Sequence, residues 1–235
     1  MARSSTTPRR SAIRKISLRP ALSALALFLA GCGTGSGGDW SNVIDAVQTS
    51  LSPGDKSVTL DQAAAIPFAT MGVRIGDGAQ MLIVLAADSG GSRLWTSAAK
   101  IAITTRGGRV VRTAGLARNI DTVSFQAGDP LLDALQDDRP RQSLRFVDYW
   151  DLNRYSVPLR CVTVSHGRDD IVILGKTIAT TRVDESCEGA TIDWTFTDSY
   201  WIGSDGMVWK SIQHIHPDYD PIELEILRPP ATSGG

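Results

Sequence analysis

Four stretches of this chain each hold two runs of apolar and β-branched residues around a glycine, and this pattern constrains the fold most. "MGVRIGDGAQMLIVLAAD" reverses at Gly76-Asp77-Gly78, and "KIAITTRGGRVVRT" at Gly107-Gly108. "CVTVSHGRDDIVILG" has His166-Gly167 in the same place, and "YWIGSDGMVWKS" has Ser204-Asp205-Gly206. Glycine enters the left-handed backbone that tight turns require, so each stretch predicts a β-hairpin. Hairpins pair neighbouring strands antiparallel, whereas β-α-β units need long crossovers. No long repeat period points to a propeller or solenoid. The chain therefore reads as all-β, mainly antiparallel, in a large curved sheet or open barrel.

Helical spacing is rare. In "DWSNVIDAVQTSL", Trp40, Val43, Ile44, Val47 and Leu51 share one face, and Pro53-Gly54 ends the pattern. This N-terminal helix is expected to pack on the sheet. "TLDQAAAI" predicts a second, short helix that stops at Pro67, and "DPLLDALQ" (129–136) a third. With no Pro/Gly-rich linker inside it, the stretch 40–235 reads as one domain.

The first 31 residues have another character. Arg3, Arg9, Arg10, Arg14, Lys15 and Arg19 precede the run "PALSALALFLA", and no acidic residue interrupts them. Basic, apolar, then small is the layout of a secretory signal. The run is shorter than the ~20 residues a spanning helix needs. It has no polar face, which argues against an amphipathic surface helix. "LAGC" (29–32) resembles the bacterial lipobox, in which a peptidase cuts before the cysteine and its sulfur carries a diacylglycerol. The alternative is a plain cleaved signal; the match of "PRRSAIRK" to a twin-arginine signal is poor. The expectation is a signal peptide over 1–31, acylated Cys32, and a flexible leash over 32–39. Gly33 follows the cysteine, and lipoproteins with Asp there tend to stay in the inner membrane. Outer-membrane anchoring is therefore expected.

Cleavage would remove six of the 24 Lys and Arg and none of the 25 Asp and Glu, leaving a net charge of about −7. No basic footprint for nucleic acid remains. Cys161 and Cys187 are then an even pair in an oxidising compartment, read as a disulfide, with free buried thiols as the alternative. These two cysteines have no CxxC or histidine pair beside them that would suggest metal ligation.

The histidines are His166, His214 and His216. On a strand His214 and His216 would face the same way, with Asp218 and Asp220 just beyond. No third protein ligand is identifiable, so no metal or other cofactor is expected. There is no G-x-S-x-G and no serine in a nucleophile context. Asp148, Asp151, Asp193 and Asp198 sit among aromatics and are the candidates for a glycosidase-type carboxylate pair, although chance proximity explains them equally well. "FVDYWDLNRY" and "IDWTFTDSYW" gather Tyr149, Trp150, Tyr155, Trp194, Phe196, Tyr200 and Trp201 beside hydrogen-bonding residues. Aromatic faces so placed suit sugar rings or partner surfaces. On strand parity Trp194, Phe196 and Tyr200 share a face and read as a core stripe.

Two segments go beyond composition. In 93–121, Gly108-Arg109-Val110-Val111 runs into Thr113-Ala114-Gly115-Leu116, with Asp129-Pro130 following. In 194–217, Tyr200-Trp201 precedes Gly206, "VWKSIQ" and Pro217. With the lipobox before them, these resemble the YjbF/GfcB lipoproteins, the group 4 capsule lipoprotein family. The resemblance implies an outer-membrane lipoprotein, on the periplasmic face, serving exopolysaccharide or capsule production and export. It implies partnership with an outer-membrane β-barrel export protein and polysaccharide, and supplies no catalytic residues. Arg109 and Arg112 either pair with acids beside a Gly-Gly turn or contact polysaccharide or a partner, as would Tyr149, Trp150 and Tyr155. The expected function is a non-catalytic export factor. The alternatives are a lipid or lipoprotein carrier with an apolar cavity, and a polysaccharide-modifying enzyme.

Overall fold

The structure, a computed structural model, describes residues 56–231. The expected signal at 1–31, Cys32 and its leash, and the helix expected at 40–51 lie outside the described residues. Strands β1 (Thr70–Ile75), β2 (Met81–Ser89), β3 (Ser92–Thr96), β4 (Ala102–Arg106) and β5 (Arg109–Ala114) follow one another as an antiparallel meander. The chain then crosses to the opposite edge of the same sheet, to β6 (Thr122–Phe125), β7 (Arg141–Tyr149) and β8 (Arg154–Arg168). A separate ribbon, β9 (Ile171–Ile173) with β10 (Lys176–Ile178), interrupts the order. Then β11 (Thr181–Gly189), β12 (Thr195–Ile202), β13 (Val208–Gln213) and β14 (Ile222–Arg228) complete it. β14 pairs with β1, so the sheet has the order β5-β4-β3-β2-β1-β14-β13-β12-β11-β8-β7-β6.

The twelve strands curl into a nearly closed barrel. The connection from β5 to β6 folds back on β5, where Thr113 N–H donates to Ile120 C=O at 3.0 Å and Ile120 N–H donates to Thr113 Oγ1 at 3.1 Å. Further along β5 the contact is made through the interior instead. Gln213, on β13, accepts from Val110 N–H at 2.9 Å and donates to Gly108 C=O at 2.9 Å. Such close approach needs glycine: a Cβ on Gly108 would lie 2.3 Å from Val208, and its φ is +85°.

Alternation along the strands fills the interior. Met71, Val73, Ile83, Trp95, Ile103, Val147, Leu159, Ile222, Leu224 and Ile226 form one buried cluster. Each fully buried aliphatic side chain contributes roughly 1.5–3 kcal/mol. Their sequence neighbours face out, as where Lys210 bridges Glu223 and Glu225 at 2.8 and 2.9 Å. Helix α1 (Leu60–Ala64) begins in a capping box, with Thr59 Oγ1 accepting from Gln62 N–H and Gln62 Oε1 from Thr59 N–H. Val58, Ala63 and Ile66 pack it on Leu82 and Val84 of β2.

Two local expectations change. His166-Gly167 does not turn the chain: β8 runs through it, and Arg182 pairs with Gly167 while Val183 pairs with Ser165. His166 is the extra residue of a β-bulge, for which Gly167 (φ +78°) supplies the left-handed backbone. The nearby reversal is at Leu174-Gly175, between β9 and β10. In 129–136 only a 3-10 turn forms, at Asp133–Leu135. The segment's start is held elsewhere, because Asp129 points its carboxylate to an arginine of β5.

Candidate functional site

A row of directly paired residues, Arg141, Thr163, Glu185 and Asp198, crosses β7, β8, β11 and β12. Glu185 is flanked on its own face by Val183 and Cys187, and Asp198 by Phe196 and Tyr200, all buried. Two acids therefore stand at core positions, 0% and 1% exposed. Burial of a carboxylate is costly unless it is paired and hydrogen-bonded. Arg109 meets Glu185 through Nη1 to Oε2 at 2.7 Å and Nη2 to Oε1 at 3.2 Å. The same guanidinium reaches Asp129 through Nε at 2.7 Å and Nη2 at 3.0 Å, and Nη1 donates to the Tyr200 hydroxyl at 2.8 Å. Arg145 Nη1 lies 3.1 Å from Glu185 Oε2 and 3.3 Å from Asp198 Oδ2.

Burial alone would lower the Arg109 pKa, but Glu185, Tyr200 and Asp129 outweigh it and hold the guanidinium well above its ordinary value. For Asp129 burial pulls upward, and the charge and hydrogen bonds of Arg109 hold the carboxyl below its ordinary value. Burial pushes the Tyr200 hydroxyl well up, against the pull of Arg109. Arg109 spends its Nε, Nη1 and Nη2 inside this cluster, whereas Arg145 Nε has no partner; Arg109 is structural and 1% exposed. Arg112 is exposed on β5.

The aromatic group divides in the same way. Tyr149 is 1% exposed, edge-on to Trp194 and His216, and burial raises its pKa. It is core, not surface. Trp150 and Tyr155 are 70% and 56% exposed on the β7–β8 hairpin, with ring centroids 6.3 Å apart at 86°. Asn153 N–H donates to Trp150 C=O at 3.0 Å, and Ser156 N–H to Asp148 Oδ1 at 2.6 Å. Asn153 and Ser156 have φ of +48° and +50°, unusual for non-glycine residues, so the hairpin tip is held in a specific strained shape. Among the nominated aromatics, the exposed corner is Trp150–Tyr155. Phe196 and Tyr200 are buried, and Trp194 stacks on Phe196 at 4.1 Å.

His214 and His216 sit at the two ends of one run of ring contacts, through Phe196, Trp194 and Tyr149. Both follow the end of β13, where strand parity no longer applies. His214 N–H donates to Asp198 Oδ1 at 2.7 Å, and its Nδ1 lies 3.2 Å from the same atom. His216 is fully buried: Nδ1 accepts from Asp218 N–H at 3.0 Å, and Nε2 lies 3.4 Å from Asp151 Oδ2 without forming a hydrogen bond. The four candidate carboxylates have separate partners or positions. Asp198 is under Arg145, Asp151 pairs with Arg118 at 3.1 Å, Asp148 holds Ser156, and Asp193 is exposed. Cys161 and Cys187 face each other across β8 and β11 and are bonded, S–S 2.07 Å. Among the described residues, the metal-ligand trio formed by them with Glu185 has both sulfurs spent in that bond.

Sequence reading missed Asp129, Arg145, Glu185, Asp198 and Gln213 as one unit. The available signal was parity: Glu185 between Val183 and Cys187, and Asp198 between Phe196 and Tyr200, are acids in apolar-facing slots.

Residues 40–227 match the family model described as "Group 4 capsule polysaccharide lipoprotein gfcB, YjbF". Among curated proteins, the uncharacterized lipoprotein GfcB of Escherichia coli (strain K12) is 26% identical over 211 residues, covering 88% of this chain and 97% of that protein. The uncharacterized lipoprotein YjbF of the same strain is 25% identical over 213 residues, covering 89% and 97%. The crystal structure of the hypothetical lipoprotein YmcC from Escherichia coli (K12) has the same fold, with TM-score 0.62 at 24% identity over 74% of this chain and 91% of that one. None of these names denotes an enzyme. This chain, with its antiparallel barrel and its match across nearly the whole described region, belongs to the group 4 capsule polysaccharide lipoprotein family.

Proposed function

We propose that this lipoprotein is a non-catalytic accessory factor in capsule or exopolysaccharide production and export, anchored through acylated Cys32 to the periplasmic face of the outer membrane. The observation that carries the non-catalytic reading is that the buried carboxylates are paired with arginines. The buried carboxylates Glu185 and Asp198 are each paired with an arginine, Arg109 or Arg145, and Arg109 also holds Asp129, whereas a reaction centre would need one of them free to bind substrate or move a proton. The family name supports a role with capsule polysaccharide. An accessory factor works through contacts, and the Trp150–Tyr155 corner is the surface suited to a polysaccharide or to the export barrel. An aromatic at the centre of an interface contributes about 2 kcal/mol or more, roughly a thirtyfold change in affinity.

The test compares surface polysaccharide from strains carrying Trp150→Ala with Tyr155→Ala, or His214→Gln with His216→Asn, at matched levels of folded protein. The aromatic pair should reduce output or partner capture, and the histidine pair should leave output nearly unchanged. Loss of output with the histidine pair alone would replace this reading with a histidine-dependent enzyme.

A further inference from the structure

The barrel interior opens at the end where the β2–β3, β4–β5 and β12–β13 turns come together. A cavity of about 480 Å³ lies there, within the roughly 300–1,000 Å³ of ordinary small-molecule sites. Its floor is apolar: Met71, Trp95, Leu224 and Ile226, buried members of the barrel core on β1, β3 and β14. Polar side chains on the wall are already engaged. Trp95 Nε1 donates to Thr105 Oγ1 at 3.0 Å, and Ser211 Oγ accepts from Gln213 Nε2 at 2.8 Å. A guest therefore meets mainly hydrocarbon, indole and thioether surface. Met71 and Met207 are unbranched and flexible, and such side chains adapt to a guest that has no single fixed shape.

The charges at the mouth decide what else the guest can carry. Arg93, two positions before Trp95 on β3, shares its face and is paired with Asp88 at 3.0 Å. Arg106 belongs to the other face of the sheet: it stands opposite Ser92, whereas Ile103 stands opposite Trp95. Asp205 remains at the mouth, where its Oδ1 accepts from Met207 N–H at 3.0 Å and, among the described residues, it forms no ion pair. With Arg93 and Asp88 cancelling, the mouth carries one uncompensated negative charge. A carboxylate or phosphate would be repelled there and would find no unpaired guanidinium facing it.

We infer that this barrel mouth takes up a single aliphatic chain that bears no negative charge, seated over Met71, Trp95, Leu224 and Ile226. Burial of hydrocarbon drives the uptake, and Asp205 sets the selection against anions. The site shares no residue with the Trp150–Tyr155 corner and does not rest on the capsule reading.

The experiment uses membranes carrying the full-length protein and 1-dodecanol with a diazirine in its chain. After irradiation, peptide mapping should place adducts on Met71, Trp95, Leu224 or Ile226, and not on Leu94 or Glu225, which face the other way. Unlabelled dodecanol should compete. Dodecyl phosphate carrying the same diazirine should label these positions roughly tenfold less, through like-charge repulsion at short range. Asp205→Asn keeps an acceptor for Met207 N–H and removes the charge. It should therefore raise labelling by the phosphate probe several-fold and leave the dodecanol probe unchanged. Met207→Trp, a larger side chain at the mouth, should reduce both. An unchanged melting temperature identifies variants that remain folded, and Asp205→Asn, being exposed, decides the matter if Met207→Trp does not fold. Adducts confined to other positions, phosphate-probe labelling as strong as that by dodecanol, or indifference of the phosphate probe to Asp205→Asn in folded protein would overturn the inference.

Discussion

Arg109 and Glu185 lie 76 positions apart in the chain and meet through two hydrogen bonds inside the barrel, the shorter at 2.7 Å. Arg109 stands on an edge strand and Glu185 near the opposite edge, so the pair ties the sheet to itself across its interior.

Removing the arginine leaves Glu185 and Asp129 without their main partner in a low-dielectric site. Arg109→Met should destabilise the protein by about 3–5 kcal/mol, because an uncompensated buried charge remains. For a domain of this size that is a fall in melting temperature on the order of 10 °C. Chemical denaturation should show a lower midpoint for Arg109→Met and little change for Arg112→Met, whose side chain is exposed.

Acid should lower the stability of the protein in two steps. His216 and Asp129 both have folded pKa values below their ordinary ones. For each, stability is present above the unfolded pKa and is lost as pH falls through the folded value. The His216 contribution therefore begins to fade below about pH 6.5, and that of Asp129 below about pH 3.9. Melting temperatures measured from pH 8 downward should show both declines. His216→Asn, which can still accept from Asp218 N–H, should remove the first, and Asp129→Asn should remove the second from a lower starting stability.

The Cys161–Cys187 bond closes a loop with a sequence separation of 26. In the chain-entropy treatment it stabilises by about 3.5 kcal/mol, less any strain. Cys161→Ala with Cys187→Ala should lower the melting temperature, and a reductant should lower it only in the parent protein. Non-reducing peptide mapping of protein isolated from cells should recover the cross-linked pair; free thiols there would contradict it.

Cys32→Ser should leave the protein uncleaved or released from the outer membrane, since stable anchoring takes two or more lipid signals. Mass spectrometry should find the parent's mature N-terminus at an acylated Cys32. An unmodified terminus at another residue would overturn the anchoring proposal.

Features set by a few neighbouring residues were legible in the sequence. Gly76-Asp77-Gly78, Gly107-Gly108 and Ser204-Asp205-Gly206 announce hairpins because a left-handed backbone is a property of one or two positions, and the three turns stand between paired strands. The stretch "TLDQAAAI" before Pro67 announces α1, and the capping box of Thr59 and Gln62 that the structure shows spans a single turn. The all-β class and the family follow from such local signals. His166-Gly167 shows where locality stops: turn and bulge ask the same φ of glycine, and only the pairing of Arg182 and Val183 across the ladder distinguishes them. Tertiary structure likewise separated Tyr149 from Trp150, neighbours in the chain, one within the barrel and one at its surface. Parity marks Glu185 and Asp198 as acids facing the core, yet their partners come from closure of the barrel, which brings β5 over β11 and draws Asp129 in from a loop. Those contacts depend on the summed curl and register of many strands, a quantity carried by no short stretch of residues.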